Sequence, residues 1–128
     1  MPDKTVAQKL LIKENYKVLF INEPKNYRAI LGELPINVTI LAEPNTSADF
    51  IQFFVTSKKE LEEKLNDIKA NLSPKGLLWV TYPKRTSKIK TDINRDIIRE
   101  YARSINLDGV AMISIDDTWS ALRLKLSG

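Results

Sequence analysis

The side chains that could carry out chemistry are restricted, because the 128-residue chain contains no histidine and no cysteine. A Ser-His-Asp triad, a cysteine nucleophile and a zinc site with nitrogen or sulfur ligands are therefore excluded. Any chemistry would depend on carboxylates, lysine or tyrosine, or on a hard cation held by oxygen ligands. A chain without cysteine needs no oxidising compartment, and no apolar run is long enough to span a bilayer. We therefore expect a cytoplasmic protein with no signal peptide and no contact with membranes.

The most concentrated charge is basic, since Lys84, Arg85, Lys88 and Lys90 lie within residues 84–90. Such a cluster can bind phosphates. It is also typical of a solvated loop, which is the favoured interpretation because no aromatic side chains interleave the cluster to stack on bases. The net charge of +4 is compatible with an anionic partner, but it is too small to identify nucleic acid as that partner.

Three aspartates could be read as a metal or catalytic site. Asp116 and Asp117 are adjacent carboxylates that could chelate a hard cation. Aspartate also favours tight turns, in which its carboxylate bonds nearby backbone, and we favour this interpretation. Asp92 stands where a helical pattern begins, so it is expected to cap that helix or to stabilise its first turn. We predict no metal and no catalytic residue.

Short apolar runs predict the strands of a sheet. Most of these runs are continuous, which is typical of parallel strands covered on both faces, and Trp79 in the middle of one is predicted to be in the core. A final run alternates leucine with Arg123 and Lys125, which favours an antiparallel strand with one wetter face. The predicted strands lie at residues 18–21, 38–41, 50–55, 77–80, 110–115 and 121–126.

Helical patterns separate the strands. A capping box from Ser57 to Glu60 opens the clearest helix, and the Pro and Gly of residues 73–76 predict the turn that ends it. Strands separated by helices imply right-handed crossovers, with helices on both faces of a parallel sheet. The strand–turn–strand pattern around residues 116–119 predicts a closing hairpin. The predicted helices lie at residues 5–13, 27–31, 57–72 and 92–105.

This layout resembles the class I methyltransferase fold. Residues 72–80, Leu-Ser-Pro-Lys-Gly-Leu-Leu-Trp-Val, are similar to that fold's L-x-P-G-G-x-L entry into its fifth strand, and residues 49–51, Asp-Phe-Ile, resemble the entry into its fourth. We therefore expect a single domain over residues 1–128: a three-layer α/β sandwich with a truncated Rossmann-like, mostly parallel sheet and a C-terminal antiparallel hairpin.

A closer resemblance covers nearly the whole chain. The segments that carry it are residues 78–84, Thr91-Asp92 with Arg95-Asp96, and residues 117–123. They look like a bacterial family of short methyltransferase-like proteins, the domain of unknown function 3052. That resemblance implies the fold, and it implies no activity.

The chain departs from methyltransferases at the cofactor loop, where their first strand runs into a glycine-rich turn that lets backbone approach the ligand. Here the corresponding residues 22–27 are Asn-Glu-Pro-Lys-Asn-Tyr and contain no glycine, and Pro24 removes a backbone donor. Glu43 stands about where a ribose-binding acid is expected, although an acid at a strand end is common. We therefore predict no bound S-adenosylmethionine and no other cofactor.

Ligands of open α/β sheets bind outside the carboxyl ends of the strands. The beginning of an antiparallel last strand, at Trp119, lies at the same end. We hypothesise that Trp119 borders the cleft that a cofactor would fill, the alternative being that it packs beneath the second long helix. The candidate ligand rim is Asn22, Glu23, Glu43, Thr56, Ser57, Lys84, Arg85, Asp116, Trp119 and Ser120.

These observations favour a non-enzymatic binding or interaction module, with a small anionic ligand or a protein as its partner. One alternative is an S-adenosylmethionine-dependent methyltransferase with an atypical cofactor loop. The other is a basic accessory protein that binds nucleic acid.

Overall fold

In the computed structural model, which describes residues 5–42 and 47–127, six strands form one sheet. The strands are β1 (Lys17–Ile21), β2 (Thr39–Ile40), β3 (Ala48–Phe54), β4 (Leu72–Pro83), β5 (Leu107–Ser114) and β6 (Trp119–Leu126). They lie in the order β2-β1-β3-β4-β6-β5. The first four run parallel, and β6 runs antiparallel to both β4 and β5. The predicted parallel sheet with an antiparallel C-terminal hairpin is confirmed.

Helices cover both faces of this sheet. The helices are α1 (Val6–Lys9), α2 (Tyr27–Leu31), α3 (Lys58–Ala70) and α4 (Arg95–Ser104). One core cluster contains residues of α1 and α2, and the other contains residues of α3 and α4, which makes three layers. No helix in the described part of the chain is long and apolar enough to cross a membrane.

Strand β3 shows why the central strands are apolar throughout. Phe50 and Phe54 lie in the core cluster with α1 and α2, whereas Ile51 and Phe53 lie in the cluster with α3 and α4. All four side chains are buried. Successive side chains of a strand point to opposite faces, so a strand covered on both faces needs apolar residues at every position.

The prediction of a turn at residues 73–76 is wrong. The helix before it ends at Ala70, and β4 begins at Leu72, so these residues form the irregular start of the strand. The register with β3 shifts there, which accommodates Pro74, a residue that cannot donate to the ladder. A Cβ at Gly76 would lie 3.0 Å from the Ala48 carbonyl oxygen and 2.7 Å from Leu72 Cδ1, so a side chain there would crowd the β3 backbone and displace the leucine tip.

Asp92 does not cap the helix that follows it. The N-cap of α4 is Asn94, whose side chain accepts a hydrogen bond from the Ile97 amide. Asp92 instead accepts from the amide of Lys58, the first residue of α3, at 2.8 Å. The segment before α4 crosses to the neighbouring helix, so this acid stabilises the start of α3 and not of α4.

Candidate functional site

The carboxyl ends of β1, β3 and β4 lie along one edge of the sheet because these strands are parallel. The beginning of β6 lies there too, since Trp119 is paired with Pro83 at the end of β4. We call this edge the rim. The starts of α2, α3 and α4 follow directly from the strand ends, so the rim collects loops, helix N-termini and polar side chains.

The turn between β1 and α2 closes on itself. Asn22 and Asn26 have φ angles of 60° and 66°, a left-handed conformation that asparagine tolerates better than most residues. The Glu23 carboxylate accepts hydrogen bonds from Arg28 Nε and Nη2, each at 2.7 Å, and this pairing raises the pKa of the Arg28 guanidinium. The same guanidinium lies 4.7 Å from the centre of the Phe20 ring, a cation–π contact.

Backbone donors of this turn are also used internally. The Tyr27 amide donates to the Pro24 carbonyl at 3.2 Å, and the Ala29 amide donates to the Asn26 carbonyl at 3.1 Å. Helix α2 has five residues, and its N-cap Asn26 makes no side-chain capping bond. The turn therefore directs these amides at its own carbonyls.

A row of aromatic rings fills the space beside the turn. Tyr27 packs edge to face on Phe54 with ring centres 4.6 Å apart, and Phe54 packs in the same way on Trp119 at 5.3 Å. Trp119 is 8% exposed and belongs to the cluster with α1 and α2. The alternative in which Trp119 packs beneath the second long helix is wrong, because that helix covers the opposite face.

The row is fixed by a buried hydrogen-bond chain. Tyr27 donates its hydroxyl hydrogen to Gln52 Oε1 at 2.7 Å, and Gln52 Nε2 donates to Thr81 Oγ1 at 2.9 Å. All three residues are buried, and burial raises the pKa of the Tyr27 hydroxyl well above its ordinary value of 10.0. The chain joins α2 to the two central strands, so Tyr27 is held in one position.

Three predicted rim residues bond to Glu60, two of them to its carboxylate, and this residue was predicted only as part of a capping box. Glu60 Oε1 accepts from the Thr56 amide at 3.2 Å, and its Oε2 accepts from Asn22 Nδ2 at 3.4 Å. The Glu60 amide in turn donates to Ser57 Oγ at 3.1 Å, which confirms Ser57 as the N-cap. The other half of the predicted capping box is not formed, because the Glu60 carboxylate accepts from the Thr56 amide and not from that of Ser57. The polar groups at the ends of β1 and β3 are thus bonded to one another.

A larger opening lies further along the rim. We call it the basic groove: a cavity of about 760 Å³ between the loop of residues 84–94, the start of α4 and strand β5. It is lined by the predicted rim residues Lys84, Arg85 and Ser120, whereas Glu23 and Trp119 lie away from it. The other lining residues used below are Tyr82, Ile89, Lys90, Asp92, Arg95, Asp96 and Met112.

The loop that forms the basic groove is held at both ends. At its beginning, the Lys84 amide donates to the Thr118 carbonyl at 2.7 Å, and Lys84 Nζ donates to Ser114 Oγ at 2.5 Å. At its end, the Thr91 hydroxyl donates to the Thr56 carbonyl, next to the bond between Asp92 and the start of α3. The loop is thus docked at both ends, while Arg85, Lys88 and Lys90 between them are exposed, as predicted for a solvated loop.

The hairpin aspartates form a turn. Asp116 Oδ1 accepts from the amides of Thr118 and Trp119 at 2.8 and 2.9 Å, as predicted for a turn aspartate. The carboxylate therefore bonds the Trp119 backbone. Across residues 5–42 and 47–127, no group of three or more acidic side chains is placed to hold a metal ion. Glu43, the predicted ribose acid, lies outside the described residues.

A second cavity, of about 390 Å³, borders Asn22 and extends along α3. Its walls include Leu19 and Ile21 from β1, and Lys64 and Ile68 from the second half of α3. Because α3 runs back toward the amino ends of the strands, this cavity extends away from the rim along the sheet face.

Sequence reasoning missed Arg95 and Met112 as groove residues. The position of Arg95 could have been predicted, because the helix that follows β4 must begin at the carboxyl end of that strand, which is at the rim. Met112 had none, since it lies on β5, whose position beside the loop depends on the antiparallel hairpin.

Comparisons with known proteins report on the fold. No family model matches the chain, and no curated protein matches it, so the resemblance to the domain of unknown function 3052 stays a prediction. Solved structures are similar to it. The DhpI–SAH complex shares 12% identity with a TM-score of 0.64, covering 95% of this chain and 83% of the other.

Two further solved structures give the same result. An S-adenosylmethionine-dependent methyltransferase from Clostridium acetobutylicum shares 7% identity at a TM-score of 0.62, covering 99% of this chain and 93% of the other. A SAM-dependent methyltransferase from Aquifex aeolicus shares 15% identity at a TM-score of 0.63, covering 93% and 86% respectively. The chain therefore has the Rossmann-like fold of the S-adenosylmethionine-dependent methyltransferases.

Proposed function

We propose that this chain is a non-enzymatic binding module that uses the methyltransferase fold without S-adenosylmethionine. The observation that carries the proposal is the closed turn between β1 and α2. In the fold, the cofactor lies against the backbone of this turn, which must present open amides and little side-chain bulk. In this turn the Tyr27 amide is already bonded to the Pro24 carbonyl, and the pairing of Glu23 with Arg28 adds side-chain bulk, so neither condition is fully met.

The residues of the turn do not fit the cofactor for a second reason, which is space. Asn22 and Asn26 supply the left-handed backbone conformation that glycine would supply, but each adds a side chain that glycine lacks. Beside them the buried rings of Tyr27 and Phe54 are in contact. A ligand that entered between these two rings would have to displace a packed ring whose hydroxyl is bonded to Gln52.

Side-chain chemistry supports the non-enzymatic half of the proposal. With no histidine and no cysteine, the chain lacks the residues that most often transfer protons or act as nucleophiles. The tyrosine at the rim is buried, and burial raises its pKa, which makes Tyr27 a poor base at neutral pH. Glu23 and Glu60 are engaged in structural hydrogen bonds.

A methyltransferase with an atypical cofactor loop is the second candidate. It is favoured by the similarity to solved SAM and SAH complexes and to a SAM-dependent methyltransferase. At identities of 7–12% this similarity concerns the fold, so it does not carry an activity over to this chain.

Isothermal titration calorimetry of the full chain with S-adenosylmethionine and S-adenosylhomocysteine separates the two candidates. We expect no saturable heat up to about 1 mM ligand, and no rise in melting temperature, since a ligand at 100 times its Kd would add about 2.7 kcal/mol of stability. A Kd in the low micromolar range for either compound would overturn the proposal. In that case the Glu23→Ala variant locates the site, because a changed Kd would assign binding to the turn.

A further inference from the structure

The basic groove carries an excess of positive charge, because four cations line it beside the two acids Asp92 and Asp96. Lys84, Arg85, Lys90 and Arg95 line it, and across residues 5–42 and 47–127 neither Lys84, Arg85 nor Lys90 makes an ion pair. The Asp92 carboxylate accepts from the Lys58 amide, while Asp96 lies 3.6 Å from Arg95. Unpaired cations around one concave surface attract an anion, and the field is strongest where walls of low dielectric surround them.

The start of α4 adds to this field. Helix α4 has ten residues, and Asn94, Arg95 and Asp96 at its N-terminus line the groove. The positive end of a helix favours an anion, and so do the cations that line the same cavity. Two independent features of the groove thus favour the same sign of charge.

The floor of the basic groove includes two exposed apolar side chains. Met112 is 48% exposed and Ile89 is 37% exposed, which is high for such large side chains. Beneath them the Tyr82 hydroxyl donates to Met112 Sδ at 3.3 Å. Burial raises the pKa of Tyr82 despite the opposing effect of Arg95, so this residue is neutral at physiological pH. A ligand with both an anionic group and an apolar or planar part would cover this floor.

The cations are also preorganised. The anchors at Lys84, Thr91 and Asp92 hold the loop at both ends, so the segment that carries Arg85 and Lys90 is short and tethered. Binding to a tethered loop loses less conformational entropy than ordering a free one, which raises affinity for a given set of contacts. This distinguishes the groove from a dispersed basic surface.

We propose that the basic groove is a binding site for a small molecule that carries a phosphomonoester on an apolar or planar body. The phosphate is held by the lining cations and the start of α4, and the body covers Met112 and Ile89. The inference deepens the proposed function, on which it rests, by naming the ligand class of the binding module.

The size and the surroundings of the groove favour a small molecule over nucleic acid. Its volume of about 760 Å³ is within the range of small-molecule sites, roughly 300–1,000 Å³. Beyond the groove, the exposed surface of α4 carries Glu100, one turn after the groove residue Asp96. Glu100 would repel a polyanion that continued along the helix, whereas a small ligand does not extend to it.

The test is an NMR titration of the full ¹⁵N-labelled chain with three probes: inorganic phosphate, adenosine 5′-monophosphate (AMP) and adenosine. We expect AMP and phosphate to shift the amides of Arg85, Lys90 and Arg95, with AMP binding at least threefold more tightly than phosphate. Adenosine should bind at least tenfold more weakly than AMP, because it lacks the phosphate. Equal affinities for AMP and adenosine, or shifts confined to other surfaces, would overturn the proposal.

A charge-matched pair of variants makes the test specific. The double variant Arg85→Ala/Lys90→Ala removes two groove cations, and Lys13→Ala/Lys125→Ala removes the same charge from exposed positions elsewhere. We expect the groove variant to weaken AMP binding at least tenfold, equivalent to about 1.4 kcal/mol, and the control to weaken it less than twofold. Equal losses of AMP affinity in the two variants would refute the site, because AMP binding would then depend on net charge alone and not on the groove cations.

Two further outcomes are distinguishable. A 20-nucleotide single-stranded DNA that binds more tightly than AMP, and whose affinity falls steeply with salt, would replace the small-molecule site by a nucleic-acid surface. S-adenosylmethionine binding at the β1–α2 turn, together with AMP binding that depends on Arg85 and Lys90, would overturn the proposed function alone and leave the groove as a separate site.

Discussion

Replacing Tyr27 by Phe tests whether this residue is locked over the end of β3. The change removes one oxygen and leaves the ring, so packing against Phe54 is preserved. What is lost is the 2.7 Å hydrogen bond to Gln52 Oε1, an atom of a fully buried residue. The Gln52 carbonyl is then left without its partner in a place that is closed to solvent.

The expected cost follows from that burial. A buried acceptor that loses its partner costs about 1–3 kcal/mol, because the full desolvation penalty of the group is no longer offset. Tyr101→Phe is the matched control: the Tyr101 hydroxyl donates to the Glu62 carbonyl at 3.0 Å in an exposed position. Water replaces that partner, so the control should change stability by about 0.5 kcal/mol or less.

Urea unfolding followed by circular dichroism measures both variants, with the free energy of unfolding extrapolated to water. We expect Tyr27→Phe to lose at least 1 kcal/mol relative to Tyr101→Phe, with unchanged dependence on urea. Equal losses would mean that the buried chain from Tyr27 to Thr81 does not form. The turn would then be free to rearrange, and the packing of Tyr27 would no longer oppose the binding of a cofactor.

Three further predictions concern pH, the loop and the aromatic row. Burial raises the pKa of Tyr27, so the folded protein holds the hydroxyl proton more tightly than the unfolded chain does. The contribution of Tyr27 to the free energy of unfolding is complete below pH 10 and is lost as the pH rises above it. Unfolding at pH 8 and 11 should show this loss, and Tyr27→Phe should reduce it. Replacing Arg85, Lys88 and Lys90 by Ala should cost about 0.5 kcal/mol or less each, measured by urea unfolding, and a larger loss would show that the cations pack on the domain. Trp119→Ala should cost about 3–5 kcal/mol, as for a buried aromatic, and a loss below 1 kcal/mol would contradict its place in the core.

Much of the fold could be predicted because its signals are local. The continuous apolar run around Phe50 predicts a strand covered on both faces, and the Ser57 cap predicts a helix start; the strand and the helix start are both present. The boundaries of the strands and helices were harder to predict. Strand β4 starts at Leu72 and not near Leu77, because pairing with β3 extends the strand through a Pro–Gly segment that would otherwise read as a turn.

The rim could be predicted only as a collection of strand ends. Its residues separate into a closed group around Glu60 and an open group around the basic groove, and nothing in their spacing distinguishes the two. The distinction depends on bonds between residues far apart in the chain. Thr91 donates to Thr56 and Lys84 donates to Ser114, which are 35 and 30 residues away, and these bonds exist only once the sheet is assembled.

The sequence predicts that the β1–α2 turn departs from the glycine-rich turn of methyltransferases. The missing glycine explains only part of this departure. Asparagine at positions 22 and 26 adopts the left-handed conformation, so backbone geometry alone would not exclude a ligand. What closes the turn is the use made of its groups: Glu23 pairs with Arg28, and the Tyr27 ring packs into the row that ends at Trp119. Since these contacts stabilise the fold, opening the turn for a cofactor would sacrifice stability, whereas the basic groove can take a ligand with the loop anchors intact. A ligand in the groove therefore leaves the packed turn intact, whereas a cofactor that entered between these side chains would require Glu23 and Tyr27 to give up their contacts.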